Sequence, residues 1–213
     1  LMSSLPKCLI SAGPTREWVD SVRFLSNPSS GKMGYALAQE ANHMGFEVTL
    51  VSGPVALNPP EDVLFIAVES AQEMYEILLR EFKHTELMIM SAAVSDHRPE
   101  FLGSEKIKKN KFPENLKLIP NPDILAELGK AKLPHQILVG FAAETSDHIE
   151  NARIKLIEKK LDWVVVNDIA SNVTGFATEM NEVTLLSRQE ETFTLPFASK
   201  SKIATGILKQ VWK

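Results

Sequence analysis

What most constrains this chain is an alternation. Short apolar runs bounded by Gly, Pro, Ser and Asn recur between longer segments with helical spacing. The runs are KCLISA (7–12), EVTLVSG (47–53), VLFIAV (63–68), ELMIMSA (86–92), ILVGFA (137–142) and LDWVVVN (161–167). Several are apolar at consecutive positions, which predicts buried strands of a sheet covered on both faces. Between them, 31–45 sets Tyr35, Leu37, Ala38, Ala41 and Met44 along one side. SAQEMYEILLREFK (70–83) opens with Ser70 and Glu73 in capping-box spacing. PDILAELGK (122–130) puts Pro122 in a first helical turn, and DHIENARIKLIEKK (147–160) aligns Ile149, Ala152, Leu156 and Ile157. The order predicts an α/β fold with a Rossmann-like, doubly wound, mostly parallel sheet. The tail departs from it. NEVTLLS (181–187) and ETFTLPF (191–197) alternate about a short polar turn and predict a C-terminal antiparallel hairpin, and 199–212 closes as a helix. The whole of 1–213 reads as a single domain, interrupted by a long, polar, Lys-rich segment at about 93–120. Loops of that length are often functional.

Several function classes are excluded early. A net charge of -4 gives no general attraction to nucleic acid, and the local Lys run is too short and too poor in aromatics to make such a surface. The single cysteine, Cys8, lies in an apolar run and allows no disulfide within the chain. No run nears the ~18 apolar residues of a membrane span, and LMSSLPK lacks a signal-peptide core. These features predict a cytoplasmic protein with no membrane partner. The five histidines show no metal-ligand spacing and no Ser-His-Asp order.

In such a sheet, ligands bind beyond the carboxyl ends of the strands. That edge gathers AGPTRE (12–17), SGP (52–54), SAAVSD (91–96), GFAAET (140–145) and ND (167–168). SNPSSGKMG (26–34) resembles a phosphate cradle: Ser29 and Ser30 offer hydroxyls, Gly31 turns the chain, and Lys32 opens a helix whose N-terminal amides attract anions. It is neither G-x-x-x-x-G-K-[ST] nor G-x-G-x-x-G. Alone it reads more readily as an ordinary helix start. Lys106-Ile107-Lys108-Lys109 is by itself a solvated loop, yet near strand ends it could close over phosphates. Asp96 could bind a hydroxyl, a metal or a base edge, or merely cap a turn. Arg23 suits a carboxylate or phosphate, and Asn27 can donate and accept at once. Lys155 and Lys159 share a helix face, beside Arg153 and Lys160.

Taken in order, AGPTRE, VRFLSNPSSGKMG, VTLVSGPVAL, SAAVSDHRP, EKIKK, NPDILAELG, LVGFAAET, KKLDWVVVND and a late GF followed by Asn181 closely resemble phosphopantothenate–cysteine ligase over about residues 8–205. The Lys-Ile-Lys-Lys motif is that of the bacterial, CTP-using type. The resemblance implies ligation of 4′-phosphopantothenate to cysteine in coenzyme A synthesis, with CTP as co-substrate and Mg²⁺ present. An acyl-cytidylate forms with loss of pyrophosphate; cysteine then displaces CMP. It further implies a homodimer whose active site the partner subunit borders. It also implies a flavin-dependent decarboxylase as functional partner, often fused N-terminally. No such half lies within these residues, so the chain reads as a stand-alone ligase or an excised domain.

Residue by residue, the resemblance implies that Asn27 holds the acyl-cytidylate, Arg23 serves the second half-reaction and Lys106 serves formation of the intermediate. Asp96, Lys106, Pro122, Asp123, Ile124, Leu125, Phe141, Lys155 and Lys159 would contact the nucleotide. Ser29, Ser30, Gly31 and Lys32 would hold a phosphate of either substrate, and 93–120 would be a flap and intersubunit element. Pro28 departs from the family's usual His or Arg, and Ser95 from its usual Ala. Competing readings are an ATP-using version of the ligase, a nonenzymatic nucleotide-binding module, and a nicotinamide-dependent reductase, which the missing G-x-G-x-x-G disfavours.

Overall fold

The computed structural model describes residues 5–144, 148–168 and 180–213. Thr145, Asp147 and the Gly175-Phe176 pair of the peptides above lie outside them. The strands are β1 (Lys7–Ala12), β2 (Arg16–Trp18), β3 (Phe24–Ser26), β4 (Glu47–Ser52), β5 (Leu64–Ala67), β6 (Leu87–Met90), β7 (His97–Pro99), β8 (Leu118–Pro120), β9 (Ile137–Glu144), β10 (Trp163–Asp168), β11 (Met180–Ser187) and β12 (Thr192–Ser199). The helices are α1 (Lys32–His43), α2 (Ala71–Phe82), α3 (Ile124–Ala131), α4 (His148–Glu158) and α5 (Lys200–Val211). Eight strands form one sheet in the order β12-β11-β10-β9-β6-β1-β4-β5. The stretch from β5 to β10 is parallel, and β11 and β12 add the antiparallel hairpin.

Burial explains the strand sequences. Cys8, Ile10 and Ala12 of β1 point into the layer made by α1 and α5, with Leu37, Ala41, Ile203 and Ile207. Leu9 points the other way, into the layer of α2, α3 and α4, with Met74, Leu78, Leu128 and Leu156. A strand covered twice must be apolar at every position, as these are. Ser70 and Glu73 form the expected capping box at the start of α2.

Four expectations need correction. VLFIAV does not form a buried strand: β5 is the last strand of the sheet, and Leu64 is 61% exposed. Met44 lies past the end of α1 and is exposed, outside the face made by Leu37, Ala38 and Ala41. On α4 only Ala152 and Leu156 of the proposed stripe are buried; Ile149 and Ile157 face solvent, because one buried row of an i, i+4 pair covers the sheet here. Pro122 does not open α3. Asp123 is the cap, its side chain accepting from Ala126 N, and Pro122 precedes it. The polar segment 93–120 also contains order too short to show a period. β7 and β8 pair antiparallel, and Leu102 N donates to Val19 O at 2.9 Å.

Candidate active site at the carboxyl edge of the sheet

After β1 the chain goes to β4 and β5 on one side, then returns through β6 on the other. The loops following β1 and β6 therefore part company, which opens a crevice at the switch point. A cavity of ≈ 360 Å³ lies there. One wall is the peptide from Asn27 to Gly34; the other is Ser91 to Val94. Phe141 and Ala142 of β9 and Asn167 of β10 close its floor, and the tail contributes Asn181 and Lys200.

The cradle peptide has a local reason for its shape. Gly31 takes φ 74, and a Cβ there would stand 2.9 Å from Val55 Cγ1, so glycine alone fits. Gly31 is also the N-cap of α1, with no side chain to cover the first-turn amides. Those amides and the helix dipole favour an anion. Ser29 Oγ accepts from Gly31 N at 3.3 Å. Asn27 spans the two walls: its Nδ2 donates to Val94 O at 3.1 Å and Ala93 O at 3.5 Å.

A second cavity of ≈ 330 Å³ adjoins the first, sharing Ala92, Val94 and Phe141. Asp96, Pro122, Asp123, Ile124, Leu125, Lys155 and Lys159 line it. Sequence reading named these residues together with Phe141, and the structure brings that set to one hollow. Lys159 Nζ lies 2.7 Å from Asp123 Oδ2, and Lys155 Nζ donates to Phe141 O at 2.7 Å. Partial burial raises the Asp123 carboxyl, but the Lys159 hydrogen bond, the Ala126 amide and the charges of both lysines outweigh it and hold the group below its usual range.

Arg23 and Lys106 stand elsewhere. Neither lines either cavity. Arg23 Nη1 pairs with Asp20 Oδ2 at 2.9 Å, its Nη2 donates to Ile107 O at 3.3 Å, and its guanidinium lies 4.3 Å from the centroid of the Phe112 ring. Lys106, one residue before Ile107, is exposed.

Lys200, Asn181 and Asn167 are cavity residues to which the sequence assigns no role. Lys200 is 6% exposed and begins α5, behind the Ser199 cap. In SKSK it reads as a solvated helix start, and only its position after a β-hairpin hints otherwise. Asn181 is 1% exposed, and the motif it closes carries no role for it in the sequence. Asn167 lies near the end of β10, and among the described residues its buried Oδ1 has no hydrogen-bond partner. Such an atom on a cavity wall suits a ligand donor. Among the described residues no three His, Cys, Asp or Glu side chains converge to hold a metal ion. A divalent ion here would ride mainly on phosphate oxygens, as Mg²⁺ commonly does. Among the described residues no helix is long and apolar enough to cross a membrane.

The fold and the paired hollows define an α/β domain with two adjoining cavities at a topological switch point, one at the N-terminus of α1 and one beside Lys155 and Lys159. The chain belongs to the family described as DNA/pantothenate metabolism flavoprotein C-terminal domain, whose model matches residues 4–213. It is 45% identical over 205 residues to the coenzyme A biosynthesis bifunctional protein CoaBC of Vibrio vulnificus (strain YJ016), covering 95% of this chain and 51% of that protein. The chain thus spans about half the length of the curated relatives it matches. The crystal structure of the C-terminal domain of a CoaBC superposes with a TM-score of 0.83 at 42% identity, covering 97% of this chain and 93% of that one. A Cab2 mutant in complex with phosphopantothenate-cysteine shares the fold at 18% identity and a TM-score of 0.77, covering 97% and 85%.

Proposed function

We propose that the chain joins 4′-phosphopantothenate to cysteine at the expense of CTP. The observation that carries this reading is the pair of adjoining cavities that share Ala92, Val94 and Phe141 in their linings. One offers a helix N-terminus, asparagines and Lys200; the other offers two lysines beside small apolar walls. We assign the acid substrate, with its phosphate, to the first and the nucleotide to the second. The substrate carboxylate then meets the α-phosphate at the shared wall, beside Asn27.

The chemistry has two parts. A carboxylate oxygen attacks the α-phosphorus, the bond to the bridging oxygen breaks, and pyrophosphate leaves. The cysteine amine next attacks the acyl carbon, loses a proton, and CMP departs. Lys155 and Lys159 hold phosphate charge as it shifts toward the leaving group, and a divalent ion, if carried in with the triphosphate, would add further neutralisation there. The Asn27 amide, fixed by two backbone carbonyls, holds the acyl-cytidylate. Arg23 and Lys106 stand outside both cavities of their own chain, which supports an active site completed across a homodimer, with 93–120 as the bordering flap. A flavin-dependent decarboxylase would supply the next step, and the setting is the cytoplasm.

The test is pyrophosphate release with 4′-phosphopantothenate, Mg²⁺ and cysteine, using CTP or ATP in turn. Faster release with CTP is expected. Preference for ATP would overturn the nucleotide assignment and keep the ligase. No release with either would leave a binding module.

A further inference from the structure

The sequence reading gave Asp20 no role, and neither cavity contains it. Yet it is a buried carboxylate in a polar loop, and its side chain is 0% exposed. A charge buried so completely persists where several donors surround it. Oδ1 accepts from Val22 N and Arg23 N, each at 2.9 Å, which fixes the turn. Oδ2 accepts from Arg23 Nη1 at 2.9 Å and from Ile107 N at 3.4 Å. Burial raises this carboxyl, but the three amides and the guanidinium more than offset it, so the group is held below its usual range.

The two oxygens divide the work. One shapes the loop that presents Arg23. The other bridges 84 residues of sequence, from the guanidinium to the amide directly after Lys106. Arg23 completes the ring by donating to Ile107 O, and its guanidinium lies over the Phe112 ring. A side chain meant only to cap a turn would need just the first oxygen. We infer that Asp20 is a positioning residue that locks Arg23 and the Lys106 segment to each other, so that both half-reactions depend on one buried carboxylate. The inference rests on the ligase reading for the roles of Arg23 and Lys106, but the lock itself does not.

Two variants separate the lock from the turn. Asp20→Asn keeps one acceptor for the turn and sets an NH₂ against the other donors. Asp20→Ser keeps a short acceptor for the turn and cannot reach Ile107. Three readouts apply to the full chain. Amide hydrogen exchange over 105–112 should rise at least about tenfold in both variants, since a charge-assisted tether is lost. In single turnovers, acyl-cytidylate formation and its consumption by cysteine should each slow by about tenfold or more. CTP affinity, set mainly by Lys155 and Lys159, should fall by less than either rate does, even though the Lys106 segment loosens. In an Arg23→Ala background, Asp20→Asn should add nothing to the loss in the second half-reaction and still slow the first. Unchanged exchange at 105–112 overturns the lock. A rate loss that merely follows lost CTP binding and lower thermal stability reduces Asp20 to a structural residue and overturns the positioning role. Increased exchange in a protein whose wild type releases no pyrophosphate would keep the lock and remove the ligase reading.

Discussion

Replacing Gly34 by alanine should lift α1 from the sheet and cost more activity than stability. A Cβ at this position would lie 2.5 Å from Ala12 Cβ, 2.7 Å from Ser91 Oγ and 3.1 Å from Ala12 Cα. Carbon–carbon contacts settle at about 3.5–4.0 Å, so something must yield by about 1 Å. Ala12 cannot move aside, being 0% exposed in the central strand β1. Overpacking of this kind costs about 1–3 kcal/mol, and the tight backbone contact argues for the upper part of that range. The helix propensity of alanine returns about 1 kcal/mol. The net loss is then about 2 kcal/mol, or a melting temperature lower by about 4–8 °C for a chain of this size. Gly34 also lines the first cavity, and the peptide Asn27–Lys32 enters α1 just before it. A shift near 1 Å in such a peptide can cost about 100-fold in rate. Melting curves and pyrophosphate release on the same preparation check both figures. A variant that melts at or above the wild-type temperature with full turnover would refute the close-packing argument.

Other perturbations separate the parts of the site. Lys159→Met should weaken CTP binding by about 10- to 100-fold, the worth of one charge-assisted hydrogen bond, and leave phosphopantothenate binding alone; Lys200→Met should do the reverse, with calorimetric titration as the check. Asn27→Asp should cut turnover by about 100-fold or more with the fold intact, since a carboxylate cannot donate to Val94 O and would face two carbonyls; wild-type turnover would remove the role. Lys106→Gln should suppress formation of the intermediate, and normal pyrophosphate release would free Lys106 from that step. The Asp123 carboxyl is held below its unfolded value, so its stabilisation is present at pH above about 4 and is lost as pH falls through the folded value. Because this side chain is 53% exposed, screening limits the effect to about 1 kcal/mol or less. Asp123→Asn keeps the cap, so its melting temperature should trail the wild type at neutral pH and meet it in acid.

The central sheet was legible because its strands are covered twice, and double burial leaves consecutive apolar residues such as those of KCLISA and ELMIMSA. The edge strand β5 misled for the same reason, since its composition matches a buried strand while its place in the sheet leaves Leu64 in solvent. β2, β3 and β7 were invisible, because three residues carry no period. The grouping of residues around the second hollow was legible through motif order, which no single peptide conveyed. Lys200 and Asp20 were not, because their significance comes from partners far along the chain. A lysine opening a terminal helix and an aspartate in a turn look ordinary until the sheet closes around one and Ile107 folds onto the other.

The most direct test of the proposed two-step reaction uses CTP labelled at the α-phosphate, mixed with the protein, 4′-phosphopantothenate and Mg²⁺ without cysteine, then quenched and resolved. A labelled acyl-cytidylate should accumulate to about one equivalent per site and pass wholly into CMP when cysteine is added. Labelled CTP that remains intact until cysteine is present, with no acyl-bound label at any time, would contradict the activated-acid route.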